Sequence, residues 1–217
     1  MKSTLKDIEQ LRRDYSGEEL NESNVERDPL RQFQRWMEGA LNAGVLDPHA
    51  MTLATVSAEG KPSARIVLLR AISEGEFTFY TNYESRKGGE VAGNPNVALV
   101  FFWLELDRQI RVEGQISTVG EAESDRYFAS RPRGSQIAAW ASKQSGVISG
   151  REELERKFRE MEARFSGKLV PRPENWGGMK VRANKIEFWQ GRPSRLHDRI
   201  LYTLQSDGSW AISRLAP

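Results

Sequence analysis

Three short runs rich in aliphatic, β-branched and aromatic residues follow one another almost without pause: AMTLATV (50–56), ARIVLLRA (64–71) and FTFYTN (77–82), separated by SAEGKP and SEGE. Connections this short cannot hold a crossover helix, so the three runs must be antiparallel neighbours. The chain is thereby committed to a sheet built by reversal.

The pattern resumes after a break. Ser85 is placed to cap a short helix running to Val91, and Asn94-Pro95 stops it. VALVFFWL (97–104) then reads as a strand buried on both faces. Gln109, Arg111, Glu113 and Gln115 alternate with Ile110, Val112, Gly114 and Ile116, which predicts a half-buried strand with a polar face. Helical spacing follows over 121–130, 134–141 and 151–165, the last with charges set to pair across turns. Strands return at 181–190, 199–204 and 209–215. Upstream, Asp28-Pro29 signals a helix start, with Leu30, Phe33, Trp36, Met37, Ala40 and Leu41 on one face and Gly44 at its end. The expected class is α+β, mainly β: an antiparallel barrel with helical excursions.

Residues 1–28 are expected to stand apart from a domain spanning 29–217. They hold five basic and eight acidic side chains, a net of −3, whereas the whole chain of 217 residues carries +2. Leu5, Ile8, Leu11 and Tyr15 suggest a short amphipathic helix, and SGEELNESNVER has little to bury, so the segment reads as a mobile arm. The longest apolar run has eight residues, Val97 to Leu104, against the roughly 20 that span a bilayer. With a charged start and no apolar leader, a cytoplasmic location is expected and a membrane partner is not.

Cysteine is absent and histidine occurs twice, at His49 and His197. Thiol nucleophiles and the common zinc sites are excluded, and no metal is expected. A serine-hydrolase elbow, a dinucleotide-binding glycine motif and a phosphate loop are all missing, so any phosphate must be held by side chains. Arg65, Arg70, Arg86, Lys87, Arg131, Arg133, Arg195 and Arg199 are the available cations, enough for two phosphates if they converge. Each also has a plainer reading. The charges of YESRKGGE fit a solvated loop, and Arg65 and Arg70, five apart, fall on opposite faces of one strand. Gln109 is either an exposed residue or an amide reading the carbonyl and imide edge of a flat heterocycle. Trp189 is packing or a stacking surface, and His197 is structural or, between Arg195 and Arg199, part of a site.

RIVLLR (65–70), FYTNYESRKG (79–88), RQIRVEG (108–114), YFASRPRGSQIAAWASKQS (127–145), WGG (176–178) and EFWQGRPSRLHDR (187–199), with ISRLAP at the end, resemble the pyridoxine (pyridoxamine) 5′-phosphate oxidases in the same order from about Leu11 to Pro217. The resemblance implies an FMN-binding split β-barrel forming a homodimer, with two FMN sites at the interface. It implies oxidation of pyridoxine 5′-phosphate or pyridoxamine 5′-phosphate to pyridoxal 5′-phosphate, with O2 reduced to H2O2. Carried over by position, FMN contacts fall on Arg65, Ile66, Val67, Leu68, Leu69 and Arg70, on Tyr80, Thr81, Arg86 and Lys87, and on Gln109, Gln144, Ser145, Trp189 and Arg199. The substrate phosphate falls to Arg70, Tyr127, Arg131 and Ser135. Arg195, Leu196 and His197 lie at the pyridine ring, with Arg195 and His197 as the catalytic pair, and Arg12 and Tyr15 belong to a segment that folds over the occupied site. One departure is Arg70, where the family motif has lysine; charge is kept, but a planar fork replaces a compact ammonium. The rival readings are a phenazine-type flavin oxidase on the same barrel and, more distantly, a nucleic-acid-binding barrel, which the near-neutral charge disfavours.

Overall fold

The first hairpin forms as its turn residues predict. In the computed structural model, which describes residues 13–217, β1 (Ala50–Val56) pairs antiparallel with β2 (Pro62–Leu68), Ala50 facing Leu68 and Val56 facing Pro62. Next come β3 (Ala71–Ser73) and β4 (Glu76–Asn82), joined through Glu74 and Gly75 at φ 50° and 81°. Two successive left-handed residues give the tight reversal that matches strand twist, and glycine takes the second without strain.

The described chain falls into two compact units. The larger holds His49–Val100 and Val112–Asn184, and the other holds the chain up to Pro48 with Phe101–Arg111 and Lys185–Pro217. In the larger unit the sheet order is β2-β1-β5-β6-β7-β4-β3, where β5 is Asn96–Trp103, β6 is Arg108–Thr118 and β7 is Trp176–Gln190. α2 (Arg86–Gly93) starts at Ser85, whose side chain accepts from the Gly88 amide. α3 (Glu121–Ser130), α4 (Arg133–Ala141) and α5 (Arg151–Arg164) follow β6. Phe128, Ile137, Phe165, Val170 and Trp176 form a buried cluster with them. α5 buries no residue and is laced by Arg151–Glu155, Lys157–Glu153 and Arg156–Glu160 pairs at 2.8, 2.6 and 2.5 Å, as its charge spacing predicts.

Two expectations change. β7 begins five residues earlier than the apolar pattern indicated, at Trp176, because Gly177 and Gly178 have poor strand propensity yet face Thr81 and Tyr80 of β4 in register. β5 is not buried on both faces. Val97, Leu99, Phe101 and Trp103 are inside, but on the second apolar face Ala98 and Val100 are only half-buried and Phe102 is 57% exposed, uncovered by the described residues.

In the other unit, α1 (Pro29–Asn42) is capped by Asp28, whose carboxylate accepts from the Leu30 amide at 2.9 Å. Its buried face is Gln32, Phe33, Trp36 and Ala40, while Leu41, expected inside, is exposed. Trp36 meets Phe188 edge-on at 5.2 Å and carries the Arg108 guanidinium 4.6 Å from its ring centre. β8 (Asp198–Leu204) pairs with β7 and with β9 (Trp210–Arg214). The segment from residue 13 to 28, read as having little to bury, places Leu20 inside at 5% exposure. Arg214 donates to the Leu20 carbonyl at 3.0 Å and to Glu22 at 2.9 Å, and Tyr202 donates to the Glu26 carbonyl at 2.6 Å. The amphipathic spacing of Leu5, Ile8 and Leu11 lies outside the described residues. Among the described residues no helix is long and apolar enough to cross a membrane.

At Gly114 of β6 the backbone of β7 comes close, since a Cβ there would stand 2.1 Å from the Arg182 carbonyl oxygen. Backbone cannot give way as a side-chain tip can. Gly114→Ala is expected to destabilise the protein by about 2–3 kcal/mol, seen as a lower urea midpoint with an unchanged slope; an unshifted midpoint would show that the two strands have room to part.

Candidate active site

A cavity of the larger unit, about 730 Å³, opens between the β2 strand and the α3–α4 helices. Its β2 wall carries Arg65, Ile66, Val67 and Leu68, and Arg70 follows. Ile66 is 64% exposed, an apolar surface offered to whatever enters. Arg65 and Arg70 both reach the cavity, contrary to their strand parity. β2 ends at Leu68, the Leu69 amide donates to the His49 carbonyl, and the Arg70 amide donates to Thr78, so the alternation is broken between the two arginines. Leu69 itself turns inward, 9% exposed, and does not line the cavity.

One cationic group surrounds a buried carboxylate. Arg65 donates to the Leu53 carbonyl at 3.2 Å, to the Thr55 hydroxyl at 2.5 Å, to the Ser63 hydroxyl and to Glu90 at 3.1 Å. Thr55 and Ser63 in turn donate to Glu90 Oε2 at 2.5 and 2.6 Å, and Arg86 Nε donates to Glu90 Oε1 at 2.8 Å. The hydroxyls of Ser63 and Thr55, and then the two guanidiniums, hold the Glu90 carboxyl down at about 2. Lys87 is buried beside this group and donates to Thr81, Ser85 and Gln144 Oε1 at 3.1, 3.0 and 3.0 Å. Burial, with the like charge of Arg65, pushes its ammonium below the usual lysine range. Ser145, left-handed at φ 69°, also lines the cavity.

A second cationic group sits on aromatics. Tyr80 and Tyr127 stack at 3.6 Å between centroids, 11° from parallel, and Trp176 lies within 5° of the Tyr127 plane at 6.2 Å. The Arg131 guanidinium stands 4.4 Å from the Trp176 ring centre. Its Nη1 is buried with no hydrogen-bond partner among the described residues. Burial, helped by the like charge of Arg70, draws the Arg131 guanidinium below its ordinary value. An orphaned, desolvated donor of this kind is a place for an anionic oxygen. Ser135 joins Arg70, Tyr127 and Arg131 in the lining. The Tyr80 hydroxyl is pushed up to about 12, mainly by burial and then by the Glu123 carboxylate, so it remains a proton donor.

The remaining expected residues lie in the other unit. Tyr15 meets Trp189 at 5.7 Å and His197 at 5.0 Å, both edge-on, and Trp189 lies 4.7 Å from His197. The Arg192 amide donates to His197 Nδ1 at 3.1 Å, so the neutral ring carries its proton on Nε2. Burial, then Arg195, lowers the His197 pKa and favours that neutral form. Ser194 and Arg195 are both left-handed, at φ 57° and 61°, unusual for consecutive non-glycine residues, and Leu196 is exposed. Arg199 is gripped by Glu187 at 2.8 and 3.2 Å, and Arg111 reaches the same carboxylate at 3.2 Å. Gln109 is the second residue of β6, half-buried. Arg12 lies outside the described residues.

Sequence reasoning missed Glu90, Thr55 and Ser63. The Arg86-to-Glu90 spacing on a capped helix was a readable signal, whereas the two hydroxyls come from facing strands and had none.

Comparison with known proteins gives two family matches: "Pyridoxamine 5′-phosphate oxidase" over residues 37–165, and "Pyridoxine 5′-phosphate oxidase C-terminal dimerisation region" over 176–217. The pyridoxine/pyridoxamine 5′-phosphate oxidase of Cyanothece sp. is 55% identical over 97% of this chain and 98% of its own. That of Cupriavidus pinatubonensis is 56% identical, over 95% and 97%. Among solved structures, PhzG from Burkholderia lata, in complex with tetrahydrophenazine-1-carboxylic acid, superposes with a TM-score of 0.87 at 29% identity, covering 93% of this chain and all of the other. A pyridoxamine 5′-phosphate oxidase-related, FMN-binding protein from Nostoc punctiforme shares the fold at 15% identity and a TM-score of 0.70, over 89% of this chain and all of its own.

Glu90 also makes the fold sensitive to acid. Its folded pKa lies below the ordinary 4.5, so its contribution is complete above that pH and is lost as pH falls toward about 2. Stability of the wild type should therefore fall more steeply between pH 4.5 and 2 than that of Glu90→Gln in chemical unfolding at stepped pH; parallel profiles would mean that the carboxyl titrates alike in both states.

Proposed function

The chain belongs to the pyridoxamine 5′-phosphate oxidase family, on the split β-barrel fold that its structural neighbours share, and from that premise we propose that the cavity holds FMN beside a phosphorylated pyridine. The reaction is oxidation of pyridoxine 5′-phosphate or pyridoxamine 5′-phosphate to pyridoxal 5′-phosphate, and the enzyme is a flavin oxidoreductase. What carries the reading is one cavity with two separate cationic groups, each suited to a phosphate dianion.

The residues present fit FMN. Arg65, Arg86 and Lys87 suit its phosphate, Gln144 and Ser145 its polar edge, and the apolar face of Ile66 to Leu68 its ring. When bound, FMN supplies the two-electron acceptor that no side chain here provides, with O2 as the final oxidant. Arg70, Tyr127, Arg131 and Ser135 would hold the substrate phosphate, and the orphaned Nη1 of Arg131 would gain its missing partner. An oxidase for an unphosphorylated ring has no use for that donor. His197, with Nδ1 engaged, offers an Nε2 proton and acts as a donor orienting the substrate ring together with Arg195.

Gln109, Trp189, Arg195, His197 and Arg199 are outside the cavity-lining set. In this reading the protein is a homodimer, consistent with the dimerisation region matched at 176–217. Two FMN sites at the interface take these residues from across it, and exposed Ile66, Phe102 and Leu104 gain cover.

The purified protein should be yellow and should convert pyridoxine 5′-phosphate to pyridoxal 5′-phosphate in air with one H2O2 formed per turnover. A colourless protein that neither takes up FMN nor turns over would sink the reading. Arg131→Met should raise KM for the phosphorylated substrate about 100-fold, the size of a lost buried charge contact, with kcat changed far less. Arg70→Lys should stay within about threefold of wild type, because the clamp needs a cation there more than a fork.

A further inference from the structure

A carboxylate close to a phosphate site is a liability by Coulomb's law, since it repels the ligand that its neighbours attract. Glu90 nevertheless stands behind the Arg65–Arg86 group, 8% exposed, with both oxygens engaged. Every donor around it belongs to the wall of the cavity or its support. Oε2 receives Thr55, Ser63 and Arg65, and Oε1 receives Arg86. The two hydroxyls are relays, accepting from Arg65 while donating to Glu90. Arg86 is otherwise open, its side chain 66% exposed, and Glu90 is the contact that keeps it at the cavity.

We propose that Glu90 is the positioning residue of the FMN phosphate clamp: it orders Arg65 and Arg86 in the flavin-free protein and trims the clamp's charge to that of one phosphate monoester. Arg65, Arg86 and Lys87 supply three positive charges, and Glu90, held ionised by four donors, removes one. The remaining +2 balances the −2 of a monoester dianion. Without Glu90 the two guanidiniums would repel each other and Arg86 would regain its rotamer freedom, which binding would then have to remove. The proposal rests on the reading that this cationic group takes the FMN phosphate.

Ordering and plain electrostatics predict opposite signs. Glu90→Gln keeps the volume and deletes the charge, so electrostatics alone makes FMN bind more tightly, whereas loss of ordering makes it bind more weakly. Titration of the flavin-free dimer, followed by flavin fluorescence, should give an FMN Kd raised about tenfold, the size of one lost charge-assisted contact. The Kd for riboflavin, which lacks the phosphate, should be unchanged. The loss should shrink in an Arg86→Ala background, where one of the two ordered groups is already gone. Tighter or unchanged FMN binding, or an equal loss for riboflavin, overturns the proposal; the second result would mark a general loosening of the fold. If Glu90→Gln does not fold, Glu90→Asp, which keeps the charge but shortens the reach, should show a smaller loss still confined to FMN, and equal losses for FMN and riboflavin would overturn it. Arg65→Ala and Arg86→Ala test the underlying reading separately. If both leave FMN binding unchanged, the phosphate lies elsewhere and the site assignment itself fails.

Discussion

The antiparallel pairing of β4 with β7 joins segments about a hundred residues apart, from Glu76 opposite Arg182 to Asn82 opposite Trp176, and the cavity depends on it. Tyr80 and Thr81 point their chemistry from β4, while Trp176 at the start of β7 supplies the ring that Arg131 covers. Gly177 and Gly178 lie opposite those two β4 residues, and the absence of side chains there lets Tyr83 and Tyr80 pack close. Long-range pairing of this kind costs loop-closure entropy before it returns any contact. The three helices inserted between β6 and β7 occupy the intervening chain, and α3 and α4 contribute Tyr127, Arg131 and Ser135 to the same cavity. The long connection is thus where most of the second polar and cationic group comes from.

A cavity lined with this many cations is electrostatically uncomfortable as protein alone. Lys87 and Arg131 are both drawn toward their neutral forms by burial, and each also feels a like charge, from Arg65 and Arg70 respectively. Cations held this way destabilise the fold unless compensated. The two groups are relieved differently. Around Arg65 the chain supplies its own counter-charge and two hydroxyl relays. Around Arg131 the described residues supply aromatic faces, which attract a guanidinium but leave Nη1 without a hydrogen-bond partner among them. The first group is ordered by the chain's own side chains, and the second keeps a buried donor without a partner among the described residues. Under the proposed function, that difference would suit a cofactor that stays and a substrate that must leave after each turnover.

Much of this was legible in the sequence, for reasons specific to each element. The β1–β2 and β3–β4 reversals follow from Gly60 and Gly75, whose positive φ only a few residue types accept. The Asp28-Pro29 start of α1 and the pairing charges of α5 are local signals with local causes. What failed was burial that depends on distant cover. Phe102 and Leu41 are apolar by composition but exposed in the chain, and Leu20 lies in a polar stretch yet is buried by Arg214 and Asp198, nearly two hundred residues away. Arg65 and Arg70 illustrate the same limit within one strand. Parity separated them, and the break after Leu68, set by the Leu69–His49 and Arg70–Thr78 hydrogen bonds, reunited them.

The charge distribution connects the composition to the site. The whole chain is nearly neutral because an acidic leading segment masks a basic body. Arg65, Arg86 and Lys87 with Glu90 leave +2, and Arg70 with Arg131 add another +2, so the cavity's two groups account for most of the body's excess. A single net charge spread over the surface would attract any polyanion. Confining it to two clusters, one neutralised in part by an internal carboxylate and the other backed by rings, would under the proposed function restrict recognition to two discrete dianions at fixed places. The absence of cysteine and the scarcity of histidine then fit the same economy. With electron transfer assigned to a bound flavin, the side chains need only grip, orient and donate protons. Arginine, lysine, tyrosine, serine and one histidine of fixed tautomer are sufficient for that.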